Sequence, residues 1–357
     1  MEVIKPDTQI DFIGKKWIAI SISMILIIIG LISLIMKGGF NMGVDFAGGT
    51  LIQLKFPEDV SIERIRDGLK DIGVVDSNIQ RFGSEREILI RTPLSTDKLE
   101  DIGSTVKGGL EKEFTSGIEV QRIEMIGPQI GKDLRRKGLF AFYFSLLFMA
   151  VYISGRFEFQ WVNSIIMTVA FIAGTLLLLK IFPNISIPLL ILIALLITLY
   201  FYWFLRLKYA LGAIIALIHD VLITATAISL TDKEFTISIL AAFLIIIGYS
   251  INDTIVIFDR IRENIRLMRK EKLEVIINSS VNQTLSRTLL TSATVFMVVV
   301  ALFIFGGEVI HDFSFALIIG LIAGTYSTVF IASPIVIACW GSGTGGQDLS
   351  AKRKAKS

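Results

Sequence analysis

A polytopic α-helical membrane protein of about eight spans, carrying one small α+β domain outside the bilayer, is the fold class this sequence predicts. Three observations carry that expectation. The 357-residue chain is 53% hydrophobic, with a mean hydropathy of +0.69, far from the composition of a soluble domain. Apolar runs at about 17–36, 138–154, 162–179, 189–205, 209–230, 236–257, 289–306 and 313–337 meet or approach the roughly 17–25 residues a bilayer crossing needs. Between the first two runs lies a polar stretch of about 95 residues in which strand and helix periodicities alternate.

Residues 1–37 form an N-terminus and first span. Lys15-Lys16 precedes the run from Trp17 to Met36, which is longer than a signal-peptide core and lacks a small-residue cleavage site, so it reads as a retained span. Residues 38–137 form the outer domain. Thr50 to Phe56 alternates as a strand, and Ser61 caps a helix running to Ile72 with Ile62, Ile65, Leu69 and Ile72 on one face. Asn78 to Phe82 and Glu87 to Arg91 read as strands, Ser95 or Asp97 caps a second helix to about Phe114, and Ile118 to Met125 closes as a strand. The order β-α-β-β-α-β is the ferredoxin-like pattern. The domain has no histidine or cysteine and its carboxylates are scattered, which favours a binding or coupling role over catalysis.

Residues 138–340 form the transmembrane bundle, with a charged amphipathic segment at about 258–286, and 341–357 form a basic tail. If the N-terminus is cytoplasmic, eight crossings return the C-terminus to the same side. The inner segments then hold Lys15-Lys16, Arg156, Arg206, Lys208, the basic stretch 260–272 and the tail, while the short outer segments hold only Lys180 and Lys233. That asymmetry follows the positive-inside rule. Arg135-Arg136-Lys137 falls on the outer side, after a long translocated domain where the rule weakens.

Composition also excludes several functions. A net charge of +3 is too small to suggest nucleic acid. Cys339 alone makes no disulfide framework, and His219 and His311 form no metal-ligand spacing. No nucleotide-binding loop is present, so neither an enzymatic activity nor a cofactor is expected.

Two features inside the spans point to function. Asp253 lies in the apolar run Thr236 to Phe258, where a carboxylate costs about 2.5–3.5 kcal/mol to insert and therefore implies a role and a partner. Arg287, at the mouth of the next run, is the expected partner at similar depth. Gly212, Ala216, Asp220 and Thr224 recur every fourth residue, and Gly320, Gly324 and Thr328 do the same, so each set shares a helix face suited to close packing. Asp220, beside His219 near mid-span, stands out from that packing role.

Several segments carry a family resemblance. Gly43-Val44-Asp45-Phe46-Ala47-Gly48-Gly49-Thr50 resembles the signature that follows the first span of SecD and SecF proteins. Gly248 to Thr254 with Asn252-Asp253, continuing to Phe258-Asp259-Arg260, is similar to the SecF fourth-span motif, and Asn282-Gln283-Thr284-Leu285-Ser286-Arg287-Thr288 to the start of the fifth. Ile126-Gly127-Pro128-Gln129 and Ile218-His219-Asp220 fit as well. The resemblance runs from about 10 to 340. It implies a SecF-type subunit of the bacterial Sec protein-export machinery, related to the resistance-nodulation-division transporters. It further implies pairing with SecD, association with the SecYEG channel and unfolded exported preproteins, residence in the cytoplasmic membrane with both termini inside, and use of the proton-motive force. By resemblance Asp253 and Arg287, with Asp220, align with proton-coupling positions, and Asp45, Gly48, Gly49, Gly127, Pro128 and Asn252 with motif positions. A non-conducting scaffold or chaperone subunit is the alternative, and a small-molecule efflux half-transporter a more distant one.

One departure from the pattern is expected to matter. Arg156-Phe157-Glu158-Phe159 looks like the start of a loop that resumes at Trp203 to Lys208, so about 162–205 reads as an inserted hairpin turning at Pro183-Asn184 and Pro188. Two extra crossings leave everything downstream in its original orientation, and a re-entrant hairpin is the alternative.

Overall fold

A computed structural model describes residues 9–72, 74, 77–82, 84–92, 99–114, 117–182 and 186–341. Ser95, Asp97, Pro183, Asn184 and the tail from 342 onward lie outside those residues. Helix α1 (Lys16–Met36) leads through Gly38-Gly39 into a one-turn helix, α2 (Val44–Ala47). The head domain follows as β1 (Gly49–Lys55), α3 (Ile62–Asp71), β2 (Asn78–Phe82), β3 (Ser84–Thr92), α4 (Leu99–Leu110) and β4 (Glu119–Ile126). Its four strands are antiparallel in the order β2-β3-β1-β4, with Ile52 opposite Ile90 on one side and Ile123 on the other. The alternation in β1 turns Ile52 and Leu54 into a core shared with Ile88, Ile90, Ile65, Leu69 and Leu110. Ser61 caps α3 as its position predicts, its hydroxyl accepting from the Arg64 N–H.

Eight helices are long and apolar enough to cross a membrane among the described residues. After α1 these are α5 (Pro128–Glu158), α6 (Trp161–Ile181), α7 (Ile187–Phe204), α8 (Lys208–Leu230), α9 (Ile237–Leu267), α10 (Leu273–Phe305) and a last helix made of α11 (Gly307–Ser327), a π-turn (Thr328–Ala332) and α12 (Ser333–Gly341). The sequence locates every span but not its ends. α5 begins ten residues before the apolar run, and α9 and α10 extend to 267 and from 273. A helix does not stop where hydropathy falls, and pairs such as Lys137–Asp133 and Arg260–Glu263 continue the charged turns. The segment 258–286 is therefore the two ends of α9 and α10 and the short turn joining them. The last span is interrupted by the π-turn just before Pro334, which has no N–H for the helical ladder, and the Ser333 hydroxyl donates to the Thr328 carbonyl at 3.0 Å.

The hairpin α6–α7 turns most of its apolar side chains outward. Its inward face is polar. The Ser154 and Ser164 hydroxyls are 2.5 Å apart, wholly buried Tyr202 stands beside Ser164 and Thr168, and wholly buried Tyr143 beside Thr175 and Thr198. Immediately before it, Glu158 closes α5 and accepts the Tyr209 N–H in the first turn of α8, at 2.9 Å.

In the main bundle α11 packs on α9 through its small residues. A methyl group at Gly324 would lie 3.0 Å from Ser250 Cβ, and one at Gly320 would overlap Ile246. Gly324→Leu is expected to separate these helices and cost about 1–3 kcal/mol, read as a lower melting temperature of the detergent-solubilised chain. For the hairpin, in a Cys339→Ala background, a cysteine at Ser186 is expected to react with a membrane-impermeant maleimide from the same side as one at Gly39. Protection of Ser186 under conditions that label Gly39 would rule out two full crossings.

Candidate functional site

Two carboxylates are buried in the bundle, on adjacent helices. Asp220 projects from the small-residue face of α8 and is wholly inaccessible, and Asp253 projects from α9 at 2% exposure. Both depend on α9, where Ser250, Asp253 and Thr254 follow at i, i+3 and i+4 and so share one face. Ser250 Oγ donates to Asp220 Oδ2 at 2.6 Å, and Ser292 Oγ of α10 donates to Asp253 Oδ2 at 2.9 Å. Ser292 in turn accepts from Thr325 of α11 at 3.1 Å, and the hydroxyls of Thr254 and Thr328 are 3.0 Å apart. The second Asp220 oxygen meets His219 Nδ1 at 3.0 Å, and His219 Nε2 meets Ser23 Oγ of α1 at 2.9 Å. Five helices thus converge on two acids.

Arg287 does not join them. Its side chain is exposed on α10, no ion pair links it to Asp253, and Asn252 is exposed on α9. The expected pairing fails because depth alone does not bring two side chains together. Helix phase turns Asp253 toward Ser292 and the α11 interface, whereas Arg287 stands exposed on α10. Tyr249 bridges the same outward face by donating to the Thr291 carbonyl at 3.2 Å.

The remaining motif residues lie at the junction of bundle and head. Gly48 has φ +78°, and a Cβ there would sit 2.7 Å from Pro128 Cα, so the turn after α2 admits only glycine against the start of α5. Gly127 and Pro128 start α5 directly after β4, with proline at the position where its missing N–H is harmless. Asp45 Oδ2 accepts the Ile237 N–H at 2.9 Å and, with Thr236, caps α9. The turn between α8 and α9 is clasped by the chain after α1: the Phe235 N–H donates to the Asn41 carbonyl at 2.7 Å and the Gly43 N–H to the Phe235 carbonyl at 3.0 Å. Glu234 in that turn is buried, pairs with Arg91 of β3 and accepts from Gln80 of β2 at 3.1 Å. Burial pulls the Arg91 guanidinium down to about 10 against the opposing pull of Asp45 and Asp312, so it stays charged at neutral pH.

Ser23, Ser250, Ser292, Thr325, Arg91 and Glu234 were not expected at these sites. Hydroxyl residues inside apolar runs are the only signal the sequence offers for most of them, and it is weak because such residues also bond back to their own helix. Thr325 does both, donating also to the Leu321 carbonyl at 3.0 Å.

Comparison with known proteins identifies the family. The family model "Protein export membrane protein SecD/SecF, C-terminal" matches residues 106–197 and 182–341, and "SecD/SecF GG Motif" matches 33–56. The two pieces of the first match overlap within the α6–α7 hairpin. The "Protein translocase subunit SecF" of Calditerrivibrio nitroreducens is 39% identical over 340 residues, covering 94% of this chain and 96% of that one. Its counterpart in Desulfurispirillum indicum is 39% identical over 334 residues, covering 92% and 91%. The crystal structure of SecDF from Thermus thermophilus, described as translocon-associated, superposes with a TM-score of 0.68 at 30% identity, covering 95% of this chain. This chain spans 40% of that SecDF chain. On the coverage and identity of these matches, the chain belongs to the SecD/SecF family.

Proposed function

We propose that this protein is an accessory subunit of the Sec translocase that uses the proton-motive force to promote protein export across the cytoplasmic membrane. The observation that carries the reading is the placement of Asp220 and Asp253 around one helix, α9, whose outer end is fastened to the head domain. Protonation of an acid in a low-dielectric site changes which hydroxyls it holds, and moving one charge through the membrane potential supplies about 2.3 kcal/mol per 100 mV. A shift of α9 against α5 then reaches the head through two separate anchors, Asp45 and Glu234 at the α9 end and Gly48 on Pro128 at the α5 end. The head, of ferredoxin-like topology on this reading, is the part that holds or pulls emerging unfolded chains.

Partner identity follows from chemistry as well as from relatives. Arg287 and Asn252 are polar and exposed at helix faces that would otherwise meet lipid, so a second membrane half with acidic groups is expected to cover them. A SecD-type subunit meets that requirement, and it is consistent with the additional length of the SecDF chain. SecYEG and exported preproteins are the further partners. Lys15, Lys16, Arg156, Arg206, Lys208 and the basic stretch 260–272 fall on one side of the alternating spans, which under the positive-inside rule supports a reading with both termini in the cytoplasm.

In inner-membrane vesicles, the proton gradient is expected to accelerate completion of preprotein export with the wild-type chain and not with Asp253→Asn. Equal acceleration in both would leave a passive scaffold subunit as the function. The head anchor is tested by charge exchange. Arg91→Glu or Glu234→Arg alone strands a buried charge and is expected to lose the gradient response, whereas the double exchange recovers it. A double exchange no better than either single would separate the Arg91–Glu234 pair from the coupling.

A further inference from the structure

A row of hydrogen bonds runs from Asp220 through His219, Ser23 and Tyr326 to the carbonyl of Ala19, and its donors can be counted. Tyr326 Oη lies 2.6 Å from the Ala19 carbonyl, which can only accept, so the phenolic proton points there. Ser23 Oγ lies 3.2 Å from Tyr326 Oη and must therefore donate to it. With its one proton so committed, Ser23 can only accept from His219 Nε2, at 2.9 Å. His219 Nε2 therefore carries a proton. Nδ1 faces Asp220 Oδ1 at 3.0 Å, and that contact needs one further proton, on the nitrogen or on the oxygen. Every bond in the row is made only when the His219–Asp220 pair holds one proton more than a neutral imidazole beside a carboxylate.

We infer that His219, with Asp220, is a proton-carrying site of this protein, and that Ser23 is the switch that reports its occupancy. When the pair is loaded, Ser23 on α1 donates to Tyr326 on α11. When the Nε2 proton leaves, the proton between Nδ1 and Asp220 stays on the ring, Nε2 becomes an acceptor, and the Ser23 hydroxyl rotates to donate to it, giving up Tyr326. Each cycle adds and removes one proton at the pair, and no other covalent bond is made or broken. The titratable groups facing the ring are Asp220 on its own helix and Tyr326, stacked on it at 5.8 Å from α11, while α1 presents Ser23, and Ser250 of α9 reaches Asp220. The inference rests on the proton-driven reading for its purpose but not for its chemistry.

The chain has two histidines, so in a His311→Gln background ¹⁵N-histidine NMR of the full-length protein in bilayers reports His219 alone. Nε2 is expected to be protonated at low pH and to become an acceptor as pH rises. Tyr326→Phe removes the acceptor that Ser23 needs in the loaded state, so the midpoint is expected to move to lower pH, by roughly tenfold in proton affinity, the scale of one hydrogen bond. An Nε2 that keeps one state throughout the titration overturns the inference in the unmodified network. A midpoint in Tyr326→Phe that is unchanged or raised overturns the Ser23 switch. If the titration behaves as expected while export ignores the proton gradient, the proton-driven reading falls and the site stands.

Discussion

A carboxylate that cannot reach water has to be given its hydrogen bonds by the protein, and in this bundle that requirement decides how five helices pack. Asp220 and Asp253 take theirs from Ser250, His219 and Ser292, which are held in turn by Ser23 and Thr325. Such donors reach only if backbones approach closely, and the glycines at 320 and 324 allow that approach between α11 and α9. Buried polar networks specify their packing closely, because a half-made network is worse than none. The same property makes them sensitive to a single added proton.

The second consequence lies outside the membrane. α9 is the helix on which both acids depend, and its N-terminus is fastened at several points beside the head. Asp45 and Thr236 cap it, the chain at Asn41–Gly43 clasps Phe235, and Glu234 is paired with Arg91. Asp45 belongs to the segment that carries the family signature, and here its role is concrete: it ties the one-turn helix leading into the head to the helix carrying Asp253. The glycine that follows serves packing, since no other residue fits the turn against Pro128.

The α6–α7 hairpin is attached by a different chemistry. Its outer surface is apolar, and its inner surface buries Ser164, Thr168, Thr175, Thr198 and Tyr202, of which Ser164 meets Ser154 of α5. In lipid an apolar face gains nothing by leaving one hydrocarbon surface for another, so polar contacts and close fit are what hold such a hairpin in place. Glu158, closing α5 just before the hairpin, accepts from the first turn of α8, so the two ends of the hairpin are tied to each other.

The sequence by itself determined the eight spans, the β-α-β-β-α-β order of the head, the hairpin and the two membrane-embedded acids. Each of these follows from local chemistry: hydropathy over one bilayer thickness, alternation along a strand, or the cost of inserting a charge. Tertiary structure decided who partners whom. Arg287 matches Asp253 in depth yet faces away from it, and Ser292, an ordinary polar residue in an apolar run, takes the position instead. Glu234 and Arg91 are 143 residues apart with nothing local to link them, and Ser23 and His219 meet across 196. Composition and periodicity report depth and face within one helix, but contact depends on the rotation of each helix against its neighbours, which only the packing of the whole bundle sets.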